Sequence, residues 1–294
     1  MTGFVGTRSP GTAAAARVSG SVESRQSWIA AWVTLGFLTV CFGSTLAIVV
    51  GLKPITEDLG TTRQLVALAG ALTWFGTGLG GILMGPLAGR LGIRRTVIFG
   101  AAMIALGLVI SASGGIWAVL VGHALFVGVL GNGALYAPIL VYISRWFDRR
   151  RGTALALIWS GQYVAGITWP TLFEHAMTGY GWRMTMAGFA VVVIIAVPIA
   201  ALFLRPAPDA PAPFGFADAG RRRELFGMRP NTVLAILCIA SFACCVPMAI
   251  PQGHLVAFCS DIGIPAARGA PAAARPPPPA PAPAAGTGPR SARR

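Results

Sequence analysis

This chain of 294 residues predicts an all-α fold, a polytopic membrane helix bundle, and three observations carry that prediction. Hydrophobic residues make up 55% of the chain and charged residues 11%, whereas soluble domains carry about 25% charged residues. The apolar residues fill most of the length in runs of twenty or more. At about 1.5 Å per residue, such a run crosses a hydrocarbon core of roughly 30 Å. The arginines gather in short turns between these runs, where they avoid the roughly 2.5–3.5 kcal/mol that a guanidinium costs at a bilayer centre. The net charge of +14 is therefore a matter of membrane topology and not of nucleic-acid binding.

Residues 1–27 are rich in Gly, Ala, Ser and Thr and carry Arg8, Arg17 and Arg25, which reads as a flexible tail and not as a cleaved signal peptide. Trp28–Leu52 has no charge and forms span one; Lys53–Arg63, with Glu57 and Asp58, reads as a polar loop. Span two runs from about Leu65 to Ala88. Its Gly76, Gly80, Gly81, Gly85 and Gly89 form small-xxx-small rows suited to close helix approach. Gly85 and Pro86 are expected to break the helix ahead of the basic turn.

From Thr96 to Ser144 no Asp, Glu, Lys or Arg occurs. That length is too great for one span, and Ser111–Gly115 supplies the break between span three, near Val97–Ile110, and span four, Ile116–Ile143. Span five covers Gly152 to about Phe173, span six Met184–Leu204, and span seven Asn231 to about Phe258, after a hydrophilic loop over 205–230. Lys and Arg number fifteen in the N-terminal tail, the two–three and four–five turns and the six–seven loop, against three in the alternate loops. The positive-inside rule then predicts a cytoplasmic N-terminus in the cell inner membrane.

The turn Gly85–Val97, GPLAGRLGIRRTV, resembles the signature loop of the major facilitator superfamily at Gly85, Leu87, Ala88, Arg90, Gly92, Arg94 and Val97. It departs at Gly89, where the family has Asp, and at Ile93. Arg145–Gly161, RWFDRRRGTALALIWSG, is similar to the segment that enters span five in monocarboxylate transporters and the oxalate/formate-antiporter-like group. Trp146, Phe147, Arg149, Arg150, Arg151, Ala154 and Gly161 match it. Gly181-Trp182-Arg183 and Pro251–Gly263 look like the same group, and Ser27–Trp32 echoes the aromatic start of its first span. The resemblance implies the N-terminal six-helix half of a major facilitator fold over 28–204, a cytoplasmic central loop over 205–230 and a seventh helix over 231–264. It also implies secondary transport of a small solute, best matched by a monocarboxylate-like organic anion, by symport or antiport with a proton or counter-anion. The plan of that family has twelve helices in two halves with the solute site between them near the midplane.

Polar groups inside the spans are the candidates for solute binding. Gly128, Asn132 and Tyr136 share a helix face on span four. A mid-span amide is disfavoured against lipid, so Asn132 faces a cavity or a neighbouring helix, and a plain inter-helix hydrogen bond is the equal alternative. Trp74 and Thr77 lie mid-span two, and Gln162 and Tyr163 lie in span five. Trp169 reads equally as a belt aromatic near the end of span five. Arg90, Arg94, Arg95 and Arg149–Arg151, with Gly85 and Gly92, are assigned to topology and gating; with Gly89 in place of Asp, one charge partner of the family's inner lock is missing. His254, late in span seven, is a candidate for proton coupling, although an interfacial position without a transport role is the preferred reading; His123 invites the same reading. No acidic residue lies deep in a span. Cys41, Cys238, Cys244, Cys245 and Cys259 form no C-x-x-C pair, so neither a metal site nor a disulfide framework is expected, and no cofactor. There is no catalytic serine elbow or phosphate-binding glycine loop, which argues against an enzyme.

After Ala270 the composition changes, and residues 265–294 hold nine prolines. Pro276–Pro279 excludes an eighth span there. The expectation is a frameshift near Gly269 that leaves a twelve-span transporter truncated after seven, with a genuine Pro/Ala-rich tail as the alternative. A truncated half would be either a non-transporting remnant or dependent on self-association.

Overall fold

The computed structural model describes residues 23–205 and 230–261. These form helices α1 (Arg25–Val50), α2 (Leu52–Leu59), α3 (Arg63–Leu91), α4 (Ile93–Ser113), α5 (Ile116–Trp146), α6 (Arg151–Leu202) and α7 (Pro230–Asp261), with no strand among the described residues. Five of them, α1 and α3 to α6, are long and apolar enough to cross a membrane. α6 is two spans in one: Gly181, at φ 79° and ψ 161°, turns the chain between arms 151–180 and 182–202. That conformation suits glycine, which has no Cβ to clash. The bundle thus contains six membrane-crossing arms before α7. Residues 206–229, within the hydrophilic stretch expected as a loop, and the proline-rich segment 265–294 lie outside the described residues.

Two sequence expectations shift. The stretch Lys53–Arg63 is not all loop: Leu52–Leu59 forms a helix whose Leu52 and Ile55, three residues apart, are buried in the core. Gly60 then closes it in the left-handed conformation at φ 57°. Eight residues with three charges look like a loop in isolation; tertiary burial of one apolar pair decides otherwise. Gly85 and Pro86 also fail to break α3, which continues to Leu91 with Pro86 inside it. Membrane helices tolerate proline, because neighbouring turns and helices re-satisfy the freed carbonyl. The turn is made instead at Gly92, at φ 79° and ψ 154°. The break between spans three and four falls at Gly114 and Gly115, as Ser111–Gly115 predicts.

α5 is the axis of one side of the bundle. α3 and α4 pack along it, while α1 packs against α6. The approach is close enough that glycine is obligatory at the crossing. A methyl at Gly76 would sit 2.5 Å from Ala124 O, one at Gly133 would sit 2.5 Å from Gly80 Cα, and one at Gly80 would run into Val129 O. On the α4 side, a methyl at Gly131 would lie 2.5 Å from Ile104 Cγ1. The small-residue row of α3 is therefore used in part: Gly76 and Gly80 form the seam and a methyl at Gly81 would lie 3.3 Å from Ala137 Cβ, while Gly85 and Gly89 face open space. Where α1 crosses α6, Gly43 and Gly161 play the same part against Phe189 and Leu35 O.

Between its two α-helical ends, α5 winds as a π-helix over Gly122–Asn132. Such segments insert extra residues per turn and recur at functional sites. Near Gly181 the arms of α6 leave an apolar groove of about 390 Å³, lined by residues including Trp169, Phe173, Tyr180, Met184 and Phe189. Trp169 is not a free belt aromatic. Its Nε1–H donates to Thr39 O at 2.7 Å, and its ring meets Phe189 with centroids 4.7 Å apart.

Substituting Gly80→Val should destabilise the bundle by about 1–3 kcal/mol or more through overpacking. Gly89→Val, where nothing lies within 4 Å, should be near neutral. Unfolding midpoints of both variants in detergent check the pair, and equal midpoints would contradict the seam.

Candidate functional site

A pair of buried polar groups lies where the π segment ends. Asn132 is its last residue and is 1% exposed. Its Nδ2 lies 3.4 Å from Thr45 Oγ1 on α1, and its Oδ1 has no hydrogen-bond partner. One turn on, Tyr136 is buried with its hydroxyl also unpartnered. Its ring stacks on Phe42 of α1, centroids 5.8 Å apart and 24° between planes, and approaches Trp159 of α6 at 6.2 Å. Phe42 also meets Trp74 of α3 at 5.5 Å. Four spanning arms thus contribute to one aromatic cluster around two unsatisfied polar side chains. The cluster grades outward, since Trp74 and Trp159 are 45% and 39% exposed.

A buried polar group without a partner costs about 1–3 kcal/mol, so this arrangement suits an incoming hydrogen-bonding molecule. The aromatic faces offer apolar contact and orientation. No charged side chain belongs to the cluster.

Of the predicted lining residues, the structure brings Trp74, Asn132 and Tyr136 together. Thr77 is half-buried, and its hydroxyl is spent on Thr73 O of its own helix at 2.7 Å. Gln162 is half-buried and Tyr163 is 66% exposed; both follow Gly161, whose carbonyl accepts from Thr39 Oγ1 at 3.1 Å. Gly128 packs against Thr73 of α3 instead of joining Asn132 and Tyr136 towards α1. Phe42, Thr45 and Trp159 escaped the sequence reading. Nothing local marks Phe42 or Thr45 within the charge-free span one; Trp159 stood inside a quoted motif. His254 and Gln252 lie on α7, with their side chains outside the described residues.

A second polar cluster starts the π segment. His123 is fully buried, not interfacial. Its Nδ1 lies 2.9 Å from Ser111 Oγ and 3.2 Å from Val119 O, while Ser111 donates to Gly107 O at 2.8 Å. With the serine proton so engaged, Nδ1 is the donor, and the bare Nε2 is left unpartnered. Thr73 Oγ1 reaches His123 O at 3.3 Å and ties the same turn to α3.

The two ends of the bundle differ in chemistry. At the end carrying Glu23, Arg90 precedes and Arg94 and Arg95 follow the α3–α4 turn at Gly92, and Arg149–Arg151 lead into α6. Glu23 Oε1 accepts from the backbone N–H groups of Arg149 and Arg150, and Trp28 packs edge-on against Phe147 at 5.1 Å. At the opposite end, Asp58 Oδ2 accepts from Trp182 Nε1 and from Arg183 at 3.1 Å each. Arg183 also donates to Ala112 O at 3.0 Å and Gly114 O at 2.8 Å, and its guanidinium lies 4.4 Å from the Trp182 ring centroid. This clamp joins α2, the end of α4 and the bend of α6. In the sequence, Trp182 and Arg183 stand out only through a family resemblance, and Asp58 is one charge of a polar stretch.

The sequence profile of the Major Facilitator Superfamily matches residues 32–274. The chain belongs to the major facilitator superfamily. Among its curated relatives is the MFS-type transporter pynF of Aspergillus niger, 29% identical over 181 residues, which cover 60% of this chain and 40% of that protein. The human monocarboxylate transporter 14 is 29% identical over 171 residues, covering 56% of this chain and 32% of the relative. The chain thus spans less than half the length of these relatives. Among solved structures, a crystal structure of a peptide transporter POT mutant with alafosfalin is similar over 82% of this chain and 53% of that one, at 20% identity and a TM-score of 0.46. The major facilitator assignment makes this a multi-pass membrane protein of a transporter family, whose relatives named here are transporters and not enzymes.

Arg183→Gln removes the donors to two carbonyls and to Asp58 and should lower stability by about 1–2 kcal/mol. Asp58→Asn, which keeps an acceptor for Trp182, should lower it less. Thermal unfolding in detergent checks the order, and a smaller loss for the arginine variant would contradict it.

Proposed function

We propose that this chain supplies the N-terminal half and the seventh helix of a secondary transporter that moves a small solute by alternating access. The observation that carries the reading is the pair of unpartnered polar groups, Asn132 Oδ1 and Tyr136 OH, buried in an aromatic setting within a transporter family. A monocarboxylate-like organic anion is the favoured solute. The likeness to monocarboxylate transporter 14 and the span-five motif support it. Spans α1 to α6 offer no cationic side chain at mid-depth. The carboxylate of such a solute would therefore meet the Tyr136 hydroxyl and the Asn132 amide. Its charge would be offset by a coupled proton or by a group on the other half.

In this reading Trp74, Thr77, Asn132, Tyr136, Gln162 and Tyr163 line the path. The arginine-bearing turns with Gly85, Arg90, Gly92, Arg94, Arg95 and Arg149–Arg151 belong to the inner gate, and His254 is the candidate for proton coupling. The organisation is a tail over 1–27, a six-helix half over 28–204, a central loop over 205–230, a seventh helix over 231–264 and a Pro/Ala-rich segment over 265–294. The arginine-rich end faces the cytoplasm from the inner membrane, as the charge bias supports. The second half of the path is supplied by further chain or by self-association.

Reconstituted vesicles test the reading with a radiolabelled monocarboxylate, such as lactate, as probe. Uptake should exceed that of empty vesicles, and Asn132→Leu should lower it about ten-fold, the equivalent of ~1.4 kcal/mol. Uptake that ignores the substitution would overturn the site. No uptake by this chain, alone or with a second half supplied, would favour the non-transporting remnant.

A further inference from the structure

The arginine-rich end of the bundle holds far more basic than acidic side chains among the described residues. Among the described residues, Arg25, Arg90, Arg94, Arg95, Arg145, Arg149, Arg150, Arg151 and Arg205 stand there with only two carboxylates, Glu23 and Asp148. In the α5–α6 turn both carboxylates bond backbone groups: Glu23 reaches the N–H of Arg149 and Arg150, and Asp148 the N–H of Arg149. The ion pair between Asp58 and Arg183 lies at the opposite end.

Within this field Arg145 and Arg151 are singular. They flank the turn from its two sides, closing α5 and opening α6, and both are half-buried where Arg94, Arg95, Arg149 and Arg150 are exposed. The Nε of each is shut away from solvent without a hydrogen-bond partner. An unpaired guanidinium donor in a sheltered place is costly, and a phosphate group fits it best, because its oxygens accept two parallel bonds from one guanidinium edge. The turn terminates two arms long and apolar enough to cross a membrane, which puts it where such an arm leaves the hydrocarbon and the headgroups begin.

We propose that the α5–α6 turn is a binding site for a phosphate-bearing anion, held by the guanidinium groups of Arg145 and Arg151. An anionic lipid headgroup and free phosphate share that chemistry. The site stands whether or not the chain moves a solute.

The test uses the full chain in nanodiscs of phosphatidylcholine, with or without added phosphatidylglycerol, and in detergent with millimolar inorganic phosphate. Ligand binding to the folded state raises the unfolding midpoint. A rise of several degrees is expected with phosphatidylglycerol, lost in Arg145→Gln/Arg151→Gln and kept in Arg94→Gln/Arg95→Gln, which removes equal charge from the other turn. A rise with the lipid alone assigns the site to a headgroup; a rise with inorganic phosphate as well assigns it to the phosphate group itself. Should the glutamine pair fail to fold, Arg145→Lys/Arg151→Lys keeps the charge without the fork and should lose most of the lipid's effect. The proposal is overturned by no rise with either anion, by equal loss in both glutamine pairs, or by a lysine pair that responds like the parent chain.

Discussion

The close approach of α3 and α4 to α5 is the constraint on which the rest of the bundle depends. Lipid tails are as apolar as leucine, so helices in a bilayer gain little from hiding hydrophobic surface and associate through packing and inter-helix hydrogen bonds. Here Gly76, Gly80, Gly131 and Gly133 remove the side chains that would hold the helices apart. Backbone then meets backbone, and α5 is gripped along the stretch where it departs from α-helical winding. The hydroxyl of Thr73 on α3 and the contact of His123 with Ser111 on α4 add polar ties at the start of that stretch.

This grip positions the candidate site. With α5 held from one side, Asn132 and Tyr136 are presented to α1, where Thr45 and Phe42 receive them. The amide and the phenol are kept from lipid without being fully satisfied, a state that persists only because the surrounding helices over-determine it. Trp74 and Trp159 complete the aromatic setting from α3 and α6 and leave its rim half-exposed.

Charge is pushed to the two ends and used differently at each. One end carries a directed network in which Arg183 bonds a carboxylate, two carbonyls and an aromatic face. That network binds the loops of the six-arm half to one another. The other end carries a field of arginines whose carboxylates cap backbone in the α5–α6 turn. A membrane protein can afford this imbalance at a surface where anionic headgroups gather.

The sequence by itself determined the helical class, the number of crossings before residue 205 and the break at Gly114 and Gly115. Charge-free length, glycine and arginine placement are local properties, and the bilayer converts them directly into spans and turns. It also singled out Asn132, Tyr136 and Trp74, because a polar or amphipathic side chain in mid-span stands out against an apolar background. Only the tertiary structure decided that Leu52–Leu59 is helical, that Pro86 is carried inside α3 and that α5 winds as a π-helix. It alone decided that His123 is buried, that Phe42, Thr45 and Trp159 join the site, and that Asp58 meets Arg183. Each of these depends on a partner far away in the chain. Thr45 and Asn132, for instance, are 87 residues apart, and no local pattern records which helix face another helix will cover.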